Sequence, residues 1–208
     1  MILTNFQRVK KLGGNLIKHP DLIGPYLRTN VFSRQSPIEI RTAWWSFLAI
    51  REVDTLIRDR RIFEYGLGGS TVRWAAKSAA WTGIEDDTIW LETVKCALGS
   101  ETSAHVDLQL SKYRFRREDG PFEESDYLLA LNEHYDGILI DGRDDNFKDR
   151  ICCFYHAENF VNCGGFIVVD DFWRYEVILE KHRAKRVQVF ESVGPCRWGV
   201  TSTAIFYY

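Results

Sequence analysis

Four groups of acidic residues punctuate otherwise apolar stretches of this sequence: Glu64-Tyr65-Gly66-Leu67-Gly68-Gly69-Ser70, Glu85-Asp86-Asp87, Asp141-Gly142-Arg143 and Asp170-Asp171. In the first, an apolar run ends in three glycines and passes into a small-residue, helix-compatible segment, the order of a strand, a tight turn and a helix. Glycine suits such a turn because a backbone without Cβ takes positive φ and lets a ligand approach the main chain. The free N–H groups at the start of the following helix offer donors and partial positive charge. Glu85 stands nineteen residues after Gly66, the separation that suits an acid gripping the two hydroxyls of a ribose. Asp141, Asp170 and Asp171 are a set of three carboxylates, an oxygen-donor set compatible with Mg²⁺. An unpaired buried carboxylate is costly, so four acid-bearing strand ends at one sheet edge point to a site.

These groups can meet only if the segments carrying them lie side by side. The apolar runs 61–66, 80–85, 105–110, 136–141 and 166–170 read as strands, with helices expected over 71–79, 88–98, 127–132 and 146–162. Near-continuous aliphatic runs such as Gly137-Ile138-Leu139-Ile140 mark strands covered on both faces, and strands alternating with helices complete a parallel, doubly wound arrangement. Gly164-Gly165 is expected to stop the 146–162 helix. Segments 186–193 and 201–208 are strands joined by a short loop and must be antiparallel. The expectation is an α/β, Rossmann-like, seven-stranded sheet, mostly parallel with a C-terminal antiparallel hairpin and helices on both faces.

Residues 1–38 read as a basic extension or flap preceding a domain at 39–208. Over residues 1–35 six bases, Arg8, Lys10, Lys11, Lys18, Arg28 and Arg34, face one acid, Asp21. Ile2, Leu3, Phe6, Val9, Leu12 and Leu16 recur at helical spacing, interrupted by Gly13-Gly14, Pro20 and Gly24-Pro25. Such a segment either packs on the domain with a solvated basic side or makes weak contact with a membrane surface. Ser36, Pro37 and Glu39 form a capping-box signature for a second helix running to about Arg60. At 208 residues and net charge −2 the chain suits one domain and gives no whole-molecule reason to expect nucleic acid. No apolar stretch reaches membrane-spanning length, and five cysteines without Cys-x-x-Cys indicate thiols in a reducing compartment, so a cytoplasmic location is expected. His134 precedes the fourth strand and so falls at the end away from the acids, and His182 reads as part of a solvated helix face after the fifth.

The ordered set of Glu64-x-Gly66-x-Gly68-Gly69-Ser70, Glu85, Asp141, Gly164-Gly165 and the terminal hairpin resembles class I S-adenosylmethionine-dependent methyltransferases over residues 39–208. Trp44-Trp45-Ser46, Asp141-Gly142-Arg143, the run from Gly164 to Asp171, and Arg174 are similar to small bacterial methyltransferase-like proteins linked to glycan or secondary-metabolite pathways. The resemblance implies that Glu64, Gly66, Gly68, Gly69 and Ser70 hold the methionine part of the cofactor and Glu85 its ribose. It places Asp86 or Asp87 near the adenine and Asp141 by the sulfonium. It further implies catalysis at Asp141, with Arg143 standing where metal-dependent sugar methyltransferases tend to carry an acid. In metal-dependent O-methyltransferases an acid of the fourth strand and an acid pair of the fifth chelate the ion, which makes Asp141, Asp170 and Asp171 candidate Mg²⁺ ligands; the other reading makes Asp170 and Asp171 helix caps or partners of Arg143 and Arg174. Without metal, a carboxylate or histidine suffices to take up one proton, because the sulfonium is already activated.

The expected acceptor is a small molecule or glycan; aromatics of residues 39–48 and Phe172, Trp173 and Tyr175 either wall such a ring or pack in the core. Two other readings stand beside this one. An NAD(P)-dependent oxidoreductase would want a third glycine where Thr71 stands, and does not require the terminal hairpin. A non-catalytic binding protein could keep the same fold. A nucleic-acid methyltransferase would carry an Asn/Asp-Pro-Pro-aromatic motif, which Asp141-Gly142-Arg143 is not.

Overall fold

The computed structural model describes residues 5–33, 35–99, 105–111, 113 and 120–208. The strands are β1 (Arg61–Tyr65), β2 (Ala80–Glu85), β3 (Val106–Leu110), β4 (Tyr135–Ile140), β5 (Val161–Val169), β6 (Arg186–Val193) and β7 (Val200–Tyr207). They form one sheet in the order β3-β2-β1-β4-β5-β7-β6. β1 through β5 pair in parallel, and β7 runs antiparallel to both β5 and β6. The expected hairpin therefore exists, with its second strand inserted against β5. The helices are α1 (Asn5–Lys18), α2 (Ile23–Leu27), α3 (Phe47–Leu56), α4 (Gly69–Trp74), α5 (Thr88–Leu98), α6 (Asp126–Leu129) and α7 (Asp149–Ala157).

Successive residues of the central strands feed opposite cores, as strand pleating requires. Phe63, Ile138, Ile140, Ile167, Val169 and Phe206 pack on one face with Cys153, Phe154 and Ala157 of α7. Ile62, Leu139, Phe166, Val168 and Ile205 pack on the other with Ala49, Ile50 and Val53 of α3. Burying each large side chain contributes about 1.5–3 kcal/mol, so apolar runs without alternation are what a two-sided sheet selects.

Three expected helices are corrected. The Ser36 capping box forms, with Ser36 N donating to Glu39 Oε2 at 2.6 Å and Glu39 N to Ser36 Oγ at 3.3 Å. It starts only a single turn, because Arg41 takes φ 51° and breaks the helical path. α3 begins afresh at Phe47, capped by Ser46 Oγ accepting from Ala49 N at 3.3 Å. The 146–162 helix is confined to α7, and Gly164-Gly165 lies inside β5 instead of stopping a helix. Gly164 has φ +79°, and a Cβ on Gly165 would come within 2.6 Å of Asp136 O, so the pair serves an irregularity of the β4–β5 ladder. After β5 the chain makes 3-10 turns at Phe172–Arg174 and Glu176–Glu180, and His182 sits edge-on to Phe206 at 5.5 Å, off any helix face.

α1 runs unbroken through Gly13-Gly14. Two glycines in a helix interior cost about 1 kcal/mol each; contacts to the sheet's end offset this. Leu12 and Leu16 join Leu22, Tyr26 and Val193 in a small cluster, while Val9, expected on that stripe, is 67% exposed. Asn15 donates to Glu191 O at 3.3 Å and accepts from Val193 N at 3.1 Å, and Lys11 pairs with Glu191 at 2.9 Å. Ile2, Leu3, Arg34 and residues 112 and 114–119 of the expected 111–125 loop lie outside the described residues.

Candidate functional site

The strand order reverses between β1 and β4, and parallel sheets of this kind bind ligands beyond the strand carboxyl ends at such a switch point. The turn after β1 and the loop after β4 touch there. Gly66 has φ +81°, and a Cβ on it would lie 2.3 Å from Gly142 Cα. Gly69 begins α4 so close to the preceding chain that a Cβ would meet Thr42 O at 1.9 Å. Only residues without a side chain fit, which is why the turn carries glycines.

Glu64 is fully buried at the end of β1 and accepts hydrogen bonds from the hydroxyls of Ser70 and Thr71. Thr71 in turn accepts from Gly68 N at 3.0 Å. Glu64 thus ties the turn through side-chain hydroxyls. Glu85, at the end of β2, reaches the same turn: its Oε2 accepts from Leu67 N at 2.9 Å, and its Oε1 from Asp86 N at 3.0 Å and Asp87 N at 3.1 Å. Neither glutamate has an ion-pair partner among the described residues. Burial, the largest influence on each, pushes Glu64 up to about 8 and Glu85 up to about 7 against the hydrogen bonds that favour their charged forms. Asp86 is half-buried beside Glu85, and Asp87 caps α5 by accepting from Trp90 N at 2.9 Å. Trp90 closes over the turn, donating from Nε1 to Leu67 O at 2.6 Å.

The raised pKa of Glu64 makes stability pH-dependent. A carboxyl whose folded value lies above its unfolded value near 4.5 stabilises fully below that value and loses its contribution as pH rises through about 8. The ligand-free protein is expected to show a falling urea midpoint between pH 5 and pH 9, with the slope reduced in Glu64→Gln, which stays neutral throughout. Equal slopes for the two proteins would show that Glu64 is ionised in the folded state.

The acids at the ends of β4 and β5 are compensated differently. Asp141 Oδ2 accepts from Trp45 Nε1 at 2.8 Å, and its Oδ1 pairs with Arg150 at 3.1 Å. Asp170 is 3% exposed and accepts from Thr203 Oγ1 at 2.7 Å. Asp171, held at φ 51°, accepts from Arg197 Nη2 and Thr201 Oγ1, both at 3.1 Å. Burial raises Asp141 despite Arg150, and burial together with its two acidic neighbours raises Asp170 well above the ordinary range. For Asp171 burial also acts upward, but Arg197, Arg150 and Arg174 together hold it below the ordinary value.

This arrangement does not fit the expected Mg²⁺ site. Two guanidiniums already stand among the three carboxylates, and Trp45, Thr201 and Thr203 each donate to one of them. Among the described residues no group of three or more acids, histidines or cysteines is arranged to hold a metal. Asp141 and Asp171 are paired with Arg150 and Arg197 instead, and Asp170 with the Thr203 hydroxyl.

Arg150, Arg197, Thr71 and Thr203 escape sequence reasoning. Arg150 donates to Gly142 O at 2.7 Å, Asp170 O at 3.0 Å and Asp141 O at 3.1 Å, fastening the β4 and β5 loops together. A signal for it exists: Arg150, Cys153, Phe154 and Ala157 are all buried and follow helical spacing, so a cation occupies an apolar stripe. Arg197 comes from the β6–β7 loop and carries no such mark. Arg143 is exposed and bridged to Asp145 at 2.6 Å, facing Asp86 and Asp87 across the strand ends rather than Asp141. Of the expected aromatic wall, Phe172, Tyr175 and Trp45 are core, whereas Trp44 and Trp173 are half-exposed. An open surface cleft of about 410 Å³ beside Leu48, Arg51 and Phe190 includes none of the four acid groups.

The sequence matches no family model and no curated protein. Its fold matches solved structures. The O-methyltransferase TomG from Streptomyces achromogenes, involved in tomaymycin synthesis and solved with S-adenosylmethionine, is 15% identical, with 99% of each chain covered and a TM-score of 0.57. Cofactor-bound Rv0187 from MTB is 18% identical over 95% of this chain and 89% of that one, with a TM-score of 0.58. An rRNA methylase from Streptococcus thermophilus is 11% identical over 84% of this chain and 98% of its own, with a TM-score of 0.55. Strand order, inserted antiparallel β7 and these likenesses agree: the chain has the fold of class I S-adenosylmethionine-dependent methyltransferases.

Proposed function

We propose that this protein is an S-adenosylmethionine-dependent methyltransferase acting on a hydroxyl oxygen of a small-molecule or glycan-like acceptor in the cytoplasm. The observation that carries the reading is the pair Glu64 and Glu85: two buried carboxylates without a cationic partner among the described residues, on either side of a glycine turn at the switch point. A ligand bearing positive charge and hydroxyl donors supplies what they lack. Glu85 is the contact for the ribose hydroxyls, and Gly66, Gly68, Gly69 and Ser70 line the methionine portion. Glu64, sealed beneath Ser70 and Thr71, acts through its charge. Asp86 lies on the adenine side.

The cofactor supplies an activated methyl group on sulfur, so the chain has to align an acceptor and remove one proton. Asp141 is the group for that proton. Trp45 and Arg150 fix its carboxylate, and its raised pKa brings it closer to the range in which a base works near neutral pH. Arg143 borders the same mouth. A nicotinamide reading has less support, because Thr71 fills the third-glycine position with a side chain bonded to Glu64. TomG, similar over the whole chain, favours a small-molecule acceptor.

Calorimetric titration with S-adenosylmethionine, S-adenosylhomocysteine and NAD tests the reading. Micromolar binding of both adenosyl ligands, unaltered by EDTA, is expected. No binding of either, or tighter binding of NAD, would overturn it.

A further inference from the structure

Four guanidiniums gather at the ends of β4 and β5, and three are committed. Arg150 holds Asp141 and three backbone carbonyls, Arg197 holds Asp171 and Trp44 O, and Arg143 holds Asp145. The fourth, Arg174, has no ion pair and no side-chain hydrogen bond among the described residues. Its guanidinium carbon lies 4.8 Å from the ring centre of Trp173 and 5.3 Å from that of Phe147. Both rings are large and half-exposed, at 55% and 50%.

The two halves of this arrangement are held from beneath. Phe147 takes φ 61°, a conformation that is strained for a bulky side chain. Buried Asp144 imposes it by accepting from the N–H groups of Asn146 at 3.1 Å, Lys148 at 3.2 Å and Arg150 at 3.1 Å. Opposite, the turn bearing Trp173 and Arg174 is anchored by buried Phe172 and by Trp173 N donating to Ser202 Oγ at 2.9 Å. A loop held in strain so as to keep an aromatic ring in water gains nothing for the core. A planar guanidinium between two rings keeps its edge donors free, and that edge matches a carboxylate bidentately.

We propose that Phe147, Trp173 and Arg174 form the acceptor-binding clamp, and that the acceptor is an aromatic ring carrying a carboxylate. The ring stacks on Phe147 or Trp173 while the carboxylate meets Arg174. One free guanidinium suits a single negative charge; a phosphate dianion would call for more. The clamp grows from the segments that follow Asp141 and Asp171, so it borders the acids at the ends of β4 and β5. Its role as an acceptor site rests on the methyltransferase reading.

The test is titration of the full chain with 4-hydroxybenzoate, its uncharged methyl ester and phenyl phosphate, followed by tryptophan fluorescence and calorimetry, with and without S-adenosylhomocysteine. 4-Hydroxybenzoate is expected to bind more tightly than the other two. Arg174→Gln should weaken it roughly 10- to 100-fold, the range for a charge-assisted pair, and should leave the ester unchanged. Phe147→Ala should weaken acid and ester alike. All three positions are exposed or at a loop tip, and an unchanged urea midpoint verifies folding. Equal binding of acid and ester, tighter binding of phenyl phosphate, no binding of any probe, or an Arg174→Gln variant with unaltered affinity would overturn the clamp. Arg174-dependent binding of the acid by a protein that fails to bind S-adenosylhomocysteine would uphold the anion clamp and remove the methyltransferase reading and the acceptor role with it.

Discussion

Replacing Arg150 by methionine is expected to destabilise the protein by about 3–5 kcal/mol, the range seen when one partner of a buried ion pair is removed. The residue is 9% exposed, and its side chain links the backbone of the β4 loop, at Asp141 and Gly142, to that of the β5 loop, at Asp170. Methionine fills a similar volume but offers no donor. Three carbonyl oxygens then lose their partners, and Asp141 keeps a negative charge beside Asp170 and Asp171 with only Arg197 near. Domains of this kind are stable by about 5–15 kcal/mol in total, so the loss is a large share of the whole. Urea unfolding at pH 7 measures it directly. The deficit should shrink as pH falls, because protonation of Asp141 removes the uncompensated charge, whereas loss of packing alone would be indifferent to pH. A destabilisation below about 1 kcal/mol would mean that the loops find other donors, and the Asp–Arg pairs would then not be what fixes the site.

Substituting Glu85 by glutamine is expected to weaken binding of S-adenosylhomocysteine about 10- to 100-fold, the equivalent of losing one or two charge-assisted hydrogen bonds. Glutamine keeps the shape and one acceptor oxygen, but it presents an N–H₂ group to one of the backbone N–H groups that Glu85 now satisfies. Some stability is lost as well, so affinity is read at a temperature where both proteins are folded. The wild-type titration supplies an independent check. With Glu85 pushed up to about 7, the carboxylate that best accepts ribose hydroxyls predominates only above that pH. Affinity should therefore rise from pH 6 to pH 8 in the wild type and rise less in the variant, where Glu64 still titrates in this range. An unchanged affinity in Glu85→Gln would remove this residue from the cofactor site and leave it as a tie between the turn and β2.

Much of the architecture is legible along the chain because strands and tight turns are encoded locally. Ile138-Leu139-Ile140 and Phe166-Ile167-Val168-Val169 are apolar without alternation, which only a sheet covered on both faces accommodates. The glycines after Glu64 mark a tight turn between a strand and a helix, and the short 194–199 loop forces its strands to be antiparallel. The acids at strand ends follow from the same boundaries. Helix limits are set less locally. The capping box at Ser36 is correct chemistry, yet Arg41 departs from helical φ where the chain passes under Gly69, a contact between residues remote from one another in sequence. Gly164-Gly165 has the composition of a helix stop and becomes part of β5 because the ladder with β4 needs the irregularity there.

By itself, then, the sequence determined which segments are strands, that the acids stand at their ends, and that the last two strands pair as a hairpin. Tertiary structure alone decided how those acids are compensated. Asp141, Asp170 and Asp171 look like a metal-binding triad when taken by themselves. α7 brings Arg150 to Asp141, and the β6–β7 loop brings Arg197 to Asp171. Glu64 and Glu85 receive no such partner among the described residues and keep raised pKa values. Charge in a low-dielectric interior is balanced by whichever groups lie within a few ångströms, whatever their distance along the chain. The same residue type therefore stands ready for a ligand at one edge of the site and is neutralised at the other.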